Sequence, residues 1–321
     1  MLFSVVVPTY NEEQVIEEFH RRLTTVLQGL AIDTEILYIN DGSTDRTLEL
    51  LKALRRSHPG PGRVGIIDLS RNFGKEIAMT AGLDFVNGDA TVIIDSDLQD
   101  PPELIPEFVK HWREGYDVVY GRRTAREGES VPKRLTAYGF YRLMQRVGRV
   151  SIPENAGDFR LLSRRGVEAL KQLREQHRFM KGLFTWIGYQ QIAVPYQRQP
   201  RRAGRTKWNY WQLWNFAIEG ITSFTTTPLR VATYVGLITA LGAFGYGLWI
   251  IFQKIVLGNP VPGYPSLMVV ILFLGGIQLI TTGIMGEYLG RMFDETKRRP
   301  LYLVNSYEPA GPTSGDGQRA P

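Results

Sequence analysis

Two long apolar runs near the C-terminus constrain this chain more than any other feature. They cover Val231–Gln253 and Leu267–Gly286, and neither contains a charged residue. Each is long enough to cross a bilayer as a helix, because the hydrocarbon core needs about 20 residues. The connection Leu257–Ser266 is uncharged, whereas basic residues lie on the outer side of both runs. This asymmetry predicts a two-span hairpin with both termini in the cytoplasm, and it disfavours two buried helices of a soluble protein.

The overall composition hides this division of the chain. The 321 residues are 43% hydrophobic and 22% charged, which is typical of a soluble enzyme and excludes a disordered chain or a transporter with many spans. The net charge of +6 indicates an anionic partner, such as anionic lipid, a phosphorylated small molecule or nucleic acid. The chain has no cysteine and only four scattered histidines, which argues against a zinc site of the thiolate or imidazole type.

Residues 1 to about 200 alternate short β-branched runs with longer amphipathic stretches. Several of the runs are apolar almost throughout, as in strands that are covered on both faces. Asn11 is predicted to cap the first helix, and later helices are predicted to start at Ser43–Asp45, near Lys75 and at Pro101–Pro102. Strands that alternate with helices predict an α/β domain with a mostly parallel, Rossmann-like sheet. The predicted strands are Phe3–Thr9, Thr34–Asn40, Arg63–Leu69, Ala90–Ser96 and Asp117–Gly121.

The strongest site signal is a pair of carboxylates that follows the fourth predicted strand. Asp95 and Asp97 are two residues apart, so in an extended segment both side chains project to one side. Two carboxylates at a strand end, with Gln99 nearby, suit Mg²⁺ or Mn²⁺ shared with a diphosphate. The structural alternative is a solvated acidic turn before the next helix, but the position after a buried strand favours the metal site.

Two other predicted strand ends carry polar residues. The first strand is followed by Tyr10–Glu12, and the second by Asp41 in an Asp–Gly pair. An acidic residue at the second strand end is well placed to accept hydrogen bonds from a base or ribose. Each also has a structural interpretation, with Asn11 as a helix cap and Asp41–Gly42 as a tight turn. Further along, Asp158 and Arg160 form an Asp-x-Arg pair, which taken alone favours a structural ion pair.

Five motifs together resemble one known family. They are PTYNE at Pro8–Glu12, NDGSTD at Asn40–Asp45, LSRNFGKE at Leu69–Glu76, DSDLQDPPE at Asp95–Glu103 and GDFRLLSR at Gly157–Arg164. Through them the chain is similar to the polyprenyl-phosphate glycosyltransferases of the inverting glycosyltransferase family 2, whose fold is GT-A. The C-terminal segment Gly286–Val304 most resembles the bactoprenol glucosyltransferase branch. Asn40 is a departure, because many relatives have a second Asp there.

The resemblance implies a role for each of several residues. Asp158 matches the family's proposed catalytic aspartate, and Asp95 would face the ribose or diphosphate beside it. The remaining implied contacts are Pro8, Tyr10, Glu12 and Asp41 for the nucleotide, Asp97 and Gln99 for Mg²⁺ or Mn²⁺, and Arg122, Arg134, Arg202 and Lys207 for the acceptor phosphate or the donor diphosphate.

The resemblance also implies a reaction and its partners. The reaction is inverting transfer of a sugar from a nucleotide sugar, first of all UDP-glucose, to a polyprenyl phosphate at the cytoplasmic face of a bacterial inner membrane. GDP-mannose or a modified pentose donor stays open as an alternative. A homo-oligomer is expected from relatives with a similar C-terminal part. Nucleic acid is not expected as a partner, because the chain carries no motif for it and the main basic cluster adjoins a membrane span.

The prediction therefore divides the chain into four parts. Residues 1–200 form the GT-A domain, 201–228 a basic and interfacial region, 229–289 the two spans, and 290–321 a cytoplasmic C-terminal tail. In the second part, the basic cluster Arg198–Lys207 precedes Trp208–Phe224, whose aromatic residues suit a helix that lies in the membrane interface.

Three rival functions are disfavoured by the sequence, and one of them, a translocator, would need more than two spans per chain unless the protein oligomerises. A processive polysaccharide synthase of the same family would carry a QxxRW motif and more spans, and the nearest string here, Gln176–Phe179, does not match it. A non-catalytic membrane scaffold with a decayed transferase domain is disfavoured because Asp95, Asp97, Gln99 and Asp158 are intact.

Overall fold

The computed structural model describes residues 1–57, 63–124, 153, 156–197, 222, 225–256 and 263–311. Its centre is an eight-stranded sheet with the order β7-β5-β6-β4-β1-β2-β3-β8. Every neighbouring pair within β1–β4 is parallel, and β5 is parallel to β7. Strand β6 is antiparallel to both β4 and β5, and β8 is antiparallel to β3. The strands are β1 Leu2–Thr9, β2 Asp33–Asn40, β3 Arg63–Leu69, β4 Ala90–Ile93, β5 Val118–Arg123, β6 Ala156–Ser163, β7 Gln191–Tyr196 and β8 Val304–Glu308.

Helices cover both faces of this sheet. On one face α1, α2 and α4 share a hydrophobic core with Val5 and Val7 of β1, and on the other α3, α5 and α6 share a second core with Val6. Successive strand residues point to opposite faces, so a strand that is covered on both faces is apolar at most of its positions. This explains the continuous apolar runs and confirms the predicted α/β class. The helices are α1 Ile16–Gln28, α2 Thr47–Ser57, α3 Lys75–Phe85, α4 Ile105–Arg113, α5 Arg164–Gln172 and α6 Met180–Trp186.

The predicted cap of the first helix is wrong. Helix α1 begins at Ile16, five residues after Asn11, and Asn11 adopts a left-handed φ of 55°. Its side-chain oxygen accepts a hydrogen bond from the backbone N–H of Thr44 at 2.8 Å, and its own N–H donates to the Ser43 hydroxyl. Asn11 therefore ties the loop after β1 to the loop after β2. The Asn11 side-chain oxygen is therefore used in a tertiary hydrogen bond and not in the helix cap that the local sequence predicts.

Other element boundaries differ by a few residues. Strand β4 ends at Ile93, before the predicted Ser96, and a short 3-10 turn at Pro102–Leu104 precedes α4. Helix α2 begins at Thr47, where the Asp45 carboxylate accepts the Thr47 N–H at 3.0 Å. Lys75 begins α3 as predicted.

The C-terminal part contains a pair of long helices, α7 Thr227–Val256 and α8 Tyr264–Lys297, which contact each other. Within them Thr227–Gln253 and Leu267–Lys297 are long and apolar enough to cross a membrane, and their side chains are largely exposed. We call α7 and α8 the C-terminal hairpin. The predicted interfacial helix Trp208–Phe224 lies, apart from Thr222, outside the residues that the structure describes.

The chain returns from the hairpin to the sheet. Strand β8 pairs antiparallel with β3, and Glu308 forms an ion pair with Arg55 of α2 at 3.0 Å. Asn305 donates a hydrogen bond to the Asp68 carboxylate of β3 at 2.8 Å. The segment placed in a cytoplasmic tail by its sequence thus contributes an edge strand of the N-terminal domain.

Candidate active site

A cleft of about 800 Å³ opens at the carboxyl ends of the parallel strands. Ligands in open α/β sheets bind at this edge, because the loops after the strands converge there. The cleft is lined by residues that follow β1, β2 and β4, by the start of α3, by Asp158 of β6, and by the segment before and into α6. We call this space the cleft below.

Most of the predicted site residues line this one cleft. They are Pro8, Tyr10, Glu12, Asp41, Asp95, Asp97 and Asp158. Gln99 and Arg122 are not among the lining residues. Arg134, Arg202 and Lys207 lie outside the described parts of the chain. Residues separated by up to about 150 positions thus meet at one sheet edge, as the α/β topology requires.

Arg122 is an exposed residue of β5, and the structure does not bring it into the cleft. Its neighbour Arg123 lines the cleft instead, because consecutive strand side chains project to opposite faces. Arg123 donates a hydrogen bond from Nε to the hydroxyl of Tyr196 at 3.3 Å and lies 3.9 Å from the carboxylate of Asp100.

The acidic segment after β4 makes a tight turn. Leu98 has a left-handed φ of 60°, and the backbone N–H of Gln99 donates to the Asp97 carboxylate at 3.1 Å. This turn leaves Asp95 and Asp97 on the cleft and buries Gln99, which is 8% exposed. The side-chain oxygen of Gln99 is buried without a hydrogen-bond partner among the described residues. A buried acceptor of this kind is costly unless something donates to it or binds it.

Lys75 joins the two carboxylates that the resemblance singles out as catalytic. Its ammonium group lies 2.6 Å from Asp95 Oδ2 and 2.5 Å from Asp158 Oδ2. The Asp95 and Asp158 side chains are 19% and 13% exposed, whereas that of Lys75 is 42% exposed and open to the cleft. The first residue of α3 therefore bridges the ends of β4 and β6, which are far apart in sequence.

The two carboxyl groups respond differently to this environment. Burial raises the pKa of Asp95 to about 6, against the opposing effect of the Lys75 ammonium. Burial also disfavours ionisation of Asp158, but the charges of Lys75 and Lys181 outweigh it and hold its pKa well below its usual range. Asp158 is thus a carboxylate at any pH near neutrality, with one oxygen on Lys75 and the other buried without a partner among the described residues.

The interpretation of Asp158 and Arg160 as a simple ion pair is not what the structure shows. Arg160 donates to the carbonyl of Gly157 at 2.7 Å and stacks over the ring of Phe184 at 3.7 Å, while Asp158 pairs with Lys75. Nearby, Glu76 accepts the backbone N–H of Met180 at 2.8 Å. Burial and the charge of Asp158 raise the pKa of Glu76 to about 7.

Asp41 holds the loop between β3 and α3. Its carboxylate accepts the backbone N–H groups of Phe73 at 2.7 Å and Gly74 at 2.9 Å. Burial raises its pKa, although these two donors and Arg71 oppose the effect. Gly42 lets the two loops approach, because a Cβ at this position would lie 2.5 Å from backbone atoms of Arg71 and Asn72.

Replacement of Gly42 by Ala is expected to destabilise this wall of the cleft. Gly42 has φ +65°, which costs an L-residue about 1–2 kcal/mol, and the backbone of Arg71 and Asn72 must also move. Gly188→Ala is the matched control, since Gly188 has φ +70° but its Cβ would come no closer than 3.8 Å to the Trp186 carbonyl. Thermal unfolding in detergent should show a larger fall in Tm for Gly42→Ala. Equal falls in Tm would show that the close approach of Gly42 to Arg71 and Asn72 adds nothing to the cost of the substitution.

Several lining residues were not predicted as site residues. From the sequence, Lys75 is predicted only as a helix start within the motif LSRNFGKE, and Gln176–Phe179 only as a string that does not match QxxRW. Both thus lie in stretches that the sequence singles out, but a short motif does not show which distant side chains its residues will contact. The lining residues missed by sequence reasoning include Lys75, Glu76, Arg123, Gln176, Arg178 and Lys181.

Comparison with known proteins follows the same division of the chain. Residues 4–171 match the family described as glycosyl transferase family 2, and residues 227–292 match the family described as the GtrB C-terminal hairpin. An uncharacterised glycosyltransferase of Synechocystis sp. is 54% identical over 302 residues, which cover 94% of each chain. The bactoprenol glucosyl transferase of Shigella phage SfX is 49% identical over 306 residues, covering 95% of this chain and 99% of its own. A prophage bactoprenol glucosyl transferase homologue of Escherichia coli K12 is 48% identical over 304 residues, covering 95% and 98%.

The mixed, mostly parallel sheet and the family match together identify a GT-A glycosyltransferase, here followed by a pair of helices that could span a membrane. The chain belongs to glycosyl transferase family 2. The resemblance stated from the five motifs is confirmed.

Proposed function

We propose that this enzyme transfers glucose from UDP-glucose to a polyprenyl phosphate at the cytoplasmic face of the membrane. The observation that carries the proposal is near-full-length similarity, across both the GT-A domain and the hairpin, to relatives named bactoprenol glucosyl transferase. The acidic cleft and the apolar hairpin in one chain are what a water-soluble donor and a lipid acceptor require.

The nucleotide is proposed to bind at the ends of β1 and β2. Tyr10 is 43% exposed on the cleft and offers a ring for stacking, and Pro8 and Glu12 lie beside it. Asp41 accepts two backbone N–H groups, yet each carboxylate oxygen can accept more than one hydrogen bond, so a base or ribose donor can be added.

A divalent cation fits the acidic turn after β4. Asp95 and Asp97 present hard carboxylate oxygens on the cleft, and Gln99 contributes a buried oxygen without a partner among the described residues. Asp97 is proposed to hold Mg²⁺ or Mn²⁺, with Gln99 as a further candidate ligand. When bound, the cation neutralises the charge that develops on the leaving diphosphate. Sites of this kind use one or two carboxylates plus substrate phosphates, so a full protein cage is not required.

The acceptor needs little help to become a nucleophile. A phosphate monoester has a second pKa of about 6, so at neutral pH the lipid phosphate is largely a dianion. Its oxygen attacks the sugar carbon as the bond to the diphosphate breaks, and no proton has to leave the nucleophile. Asp158, held ionised by Lys75, is therefore proposed to orient groups and to stabilise positive charge on the sugar rather than to act as a base.

The remaining proposals concern the membrane and the assembly. Both termini are proposed to be cytoplasmic, since several basic residues flank the spans on that side, whereas the connection between the spans carries a single charge, Lys254. Arg134, Arg202 and Lys207 stay candidates for the acceptor phosphate or donor diphosphate, and a homo-oligomer stays the proposed assembly.

Incubation of the full chain with undecaprenyl phosphate, Mg²⁺ and separate nucleotide sugars tests the function. The expected product is the lipid phosphate plus one hexose, read by mass, with UDP-glucose as the best donor. A GDP-mannose or pentose product would replace the donor assignment, and lipid carrying many sugars would indicate a processive synthase. Absence of a lipid product with every donor would overturn the proposal.

A further inference from the structure

The end of the C-terminal hairpin holds one wall of the cleft. The Glu295 carboxylate of α8 accepts the backbone N–H of Gln176 at 2.7 Å. The Gln176 side chain donates in turn to the carbonyl of Arg299 at 2.6 Å, just beyond the helix. His177 Nε2 lies 3.1 Å from the carboxylate of Asp294. Consecutive residues before α6 are thus bonded to consecutive residues at the end of α8.

The same short stretch lines the cleft. Within Gln176–Phe179, which we call the wall segment, Gln176, Arg178 and Phe179 contribute to the lining. Arg178 is only 5% exposed, and its guanidinium donates to the carbonyl of Leu173. On its far side the segment continues into α6, where the Met180 N–H donates to Glu76. The wall segment is therefore held from the hairpin at one end and from α3 at the other.

The end of α8 is itself fixed to the N-terminal domain. The Tyr302 hydroxyl donates to the Asp84 carboxylate at 2.8 Å, and the backbone N–H of Ser70 donates to the carbonyl of Leu303 at 2.9 Å. Strand β8 then continues the sheet beside β3. Because the chain just beyond residue 299 is anchored by Tyr302, Leu303 and β8, the end of α8 is held in place beside the wall segment.

We propose that Glu295 is a positioning residue that fixes the wall segment and so couples the hairpin to the acceptor side of the cleft. The inference rests on the proposed transfer to a polyprenyl phosphate. The acceptor side is indicated because Asp294 and Glu295 lie at the end of the candidate span Leu267–Lys297. A lipid phosphate, whose chain stays in the bilayer, reaches the cleft from this side, whereas the nucleotide sugar arrives from water. The hairpin is thus part of the cleft's construction as well as an anchor.

Two variants separate the hydrogen bond from the charge. Glu295→Ala removes the acceptor for the Gln176 N–H, and we expect the KM for undecaprenyl phosphate to rise about tenfold, the size of one lost hydrogen bond to a charged group. Affinity for UDP, measured by calorimetry, should stay within about twofold of that of the unaltered protein, a change much smaller than the loss of one such hydrogen bond would cause. Glu295→Gln keeps an acceptor oxygen and should largely restore the KM. Glu287→Ala is the control, because Glu287 pairs with Arg291 on the same helix and, among the described residues, makes no bond to the wall segment.

Hydrogen exchange provides a second readout that does not depend on activity. Peptides that contain Gln176 should exchange faster in Glu295→Ala than in the unaltered protein or in Glu287→Ala. If exchange and KM are unchanged while the unaltered enzyme transfers glucose, the coupling is wrong and the proposed function stands. Equal impairment of Glu295→Gln and Glu295→Ala would overturn the hydrogen-bond account in favour of charge. If the unaltered protein forms no lipid product but exchange responds, the proposed function fails while the structural link holds.

Discussion

Replacement of Asp158 by Asn is expected to lower turnover at pH 7 by at least about 100-fold, the size of a lost electrostatic contact to the reacting group. Asp158 lines the cleft and carries a charge that Lys75 stabilises, and an amide cannot supply that charge to the reacting sugar. The loss should appear in kcat more than in the affinity for UDP, because the nucleotide is proposed to bind at β1 and β2. Glucose transfer to undecaprenyl phosphate and UDP titration together measure this split.

The pH profile of the Asp158 variant decides between orientation and base catalysis. The folded-state pKa of Asp158 lies below its ordinary value, so its charge is present above that value and is lost only as the pH falls into the acid range. No limb of the activity profile near neutrality should therefore belong to it. Steep recovery of Asp158→Asn at alkaline pH would indicate a base and would contradict the orienting role.

A buried carboxylate outside the cleft provides the control for this variant. Asp117 is 4% exposed, is paired with Arg165 and Ser163, and does not line the cleft. Asp117→Asn should lower Tm, because it breaks a buried hydrogen-bonded group, but should leave kcat near that of the unaltered protein. A similar loss of kcat in both variants would mean that the effect of Asp158→Asn comes from general destabilisation.

The sequence predicted the parallel half of the sheet because its signal is local. Strands such as β1 are mostly apolar and buried at nearly every position, and this pattern and the strand length identify them without knowledge of their neighbours. Strands β6 and β8 carry weaker signals, since Arg160 and Asp158 interrupt the first and Asn305 and Ser306 the second. Their strand conformation is stabilised by pairing with β4 and β3, and that pairing follows from tertiary contacts rather than propensity.

The candidate site likewise has some parts that local sequence predicts and others that depend on tertiary contacts. The positions of Asp95 and Asp97 could be predicted, because two residues at a strand end share a side and strand ends share an edge. That Lys75 bridges Asp95 and Asp158 could not, since it depends on how α3 lies over strands far away in the chain. The wall segment was even less predictable, because its position depends on a helix end more than 100 residues later.

Replacement of Asp97 by Asn is expected to remove most of the metal-dependent activity. Exchanging a carboxylate for a neutral amide weakens binding of a hard cation. Mutation of the groups around a metal ligand typically lowers metal affinity roughly 10- to 100-fold, and replacement of the ligand itself should lower it at least as much. Titration with Mn²⁺ in the presence of UDP, followed by electron paramagnetic resonance of free Mn²⁺, measures binding without turnover. Asp89→Asn is the control. Asp89 lies directly before the first residue of β4, at the end of the strand away from the acidic turn, and its carboxylate accepts the Leu2 N–H.

Comparison of Asp97→Asn with Gln99→Ala then separates the two candidate ligands. Asp97 lies on the cleft, whereas Gln99 is buried behind the turn at Leu98 and offers a neutral oxygen. Coulomb attraction favours the charged ligand, so Gln99→Ala should weaken Mn²⁺ binding less than Asp97→Asn. A larger effect of Gln99→Ala would mean that its buried oxygen, and not the Asp97 carboxylate, is the main protein ligand. Unchanged Mn²⁺ binding and full activity in Asp97→Asn would overturn the metal assignment, because the acidic turn would then serve only to shape the cleft.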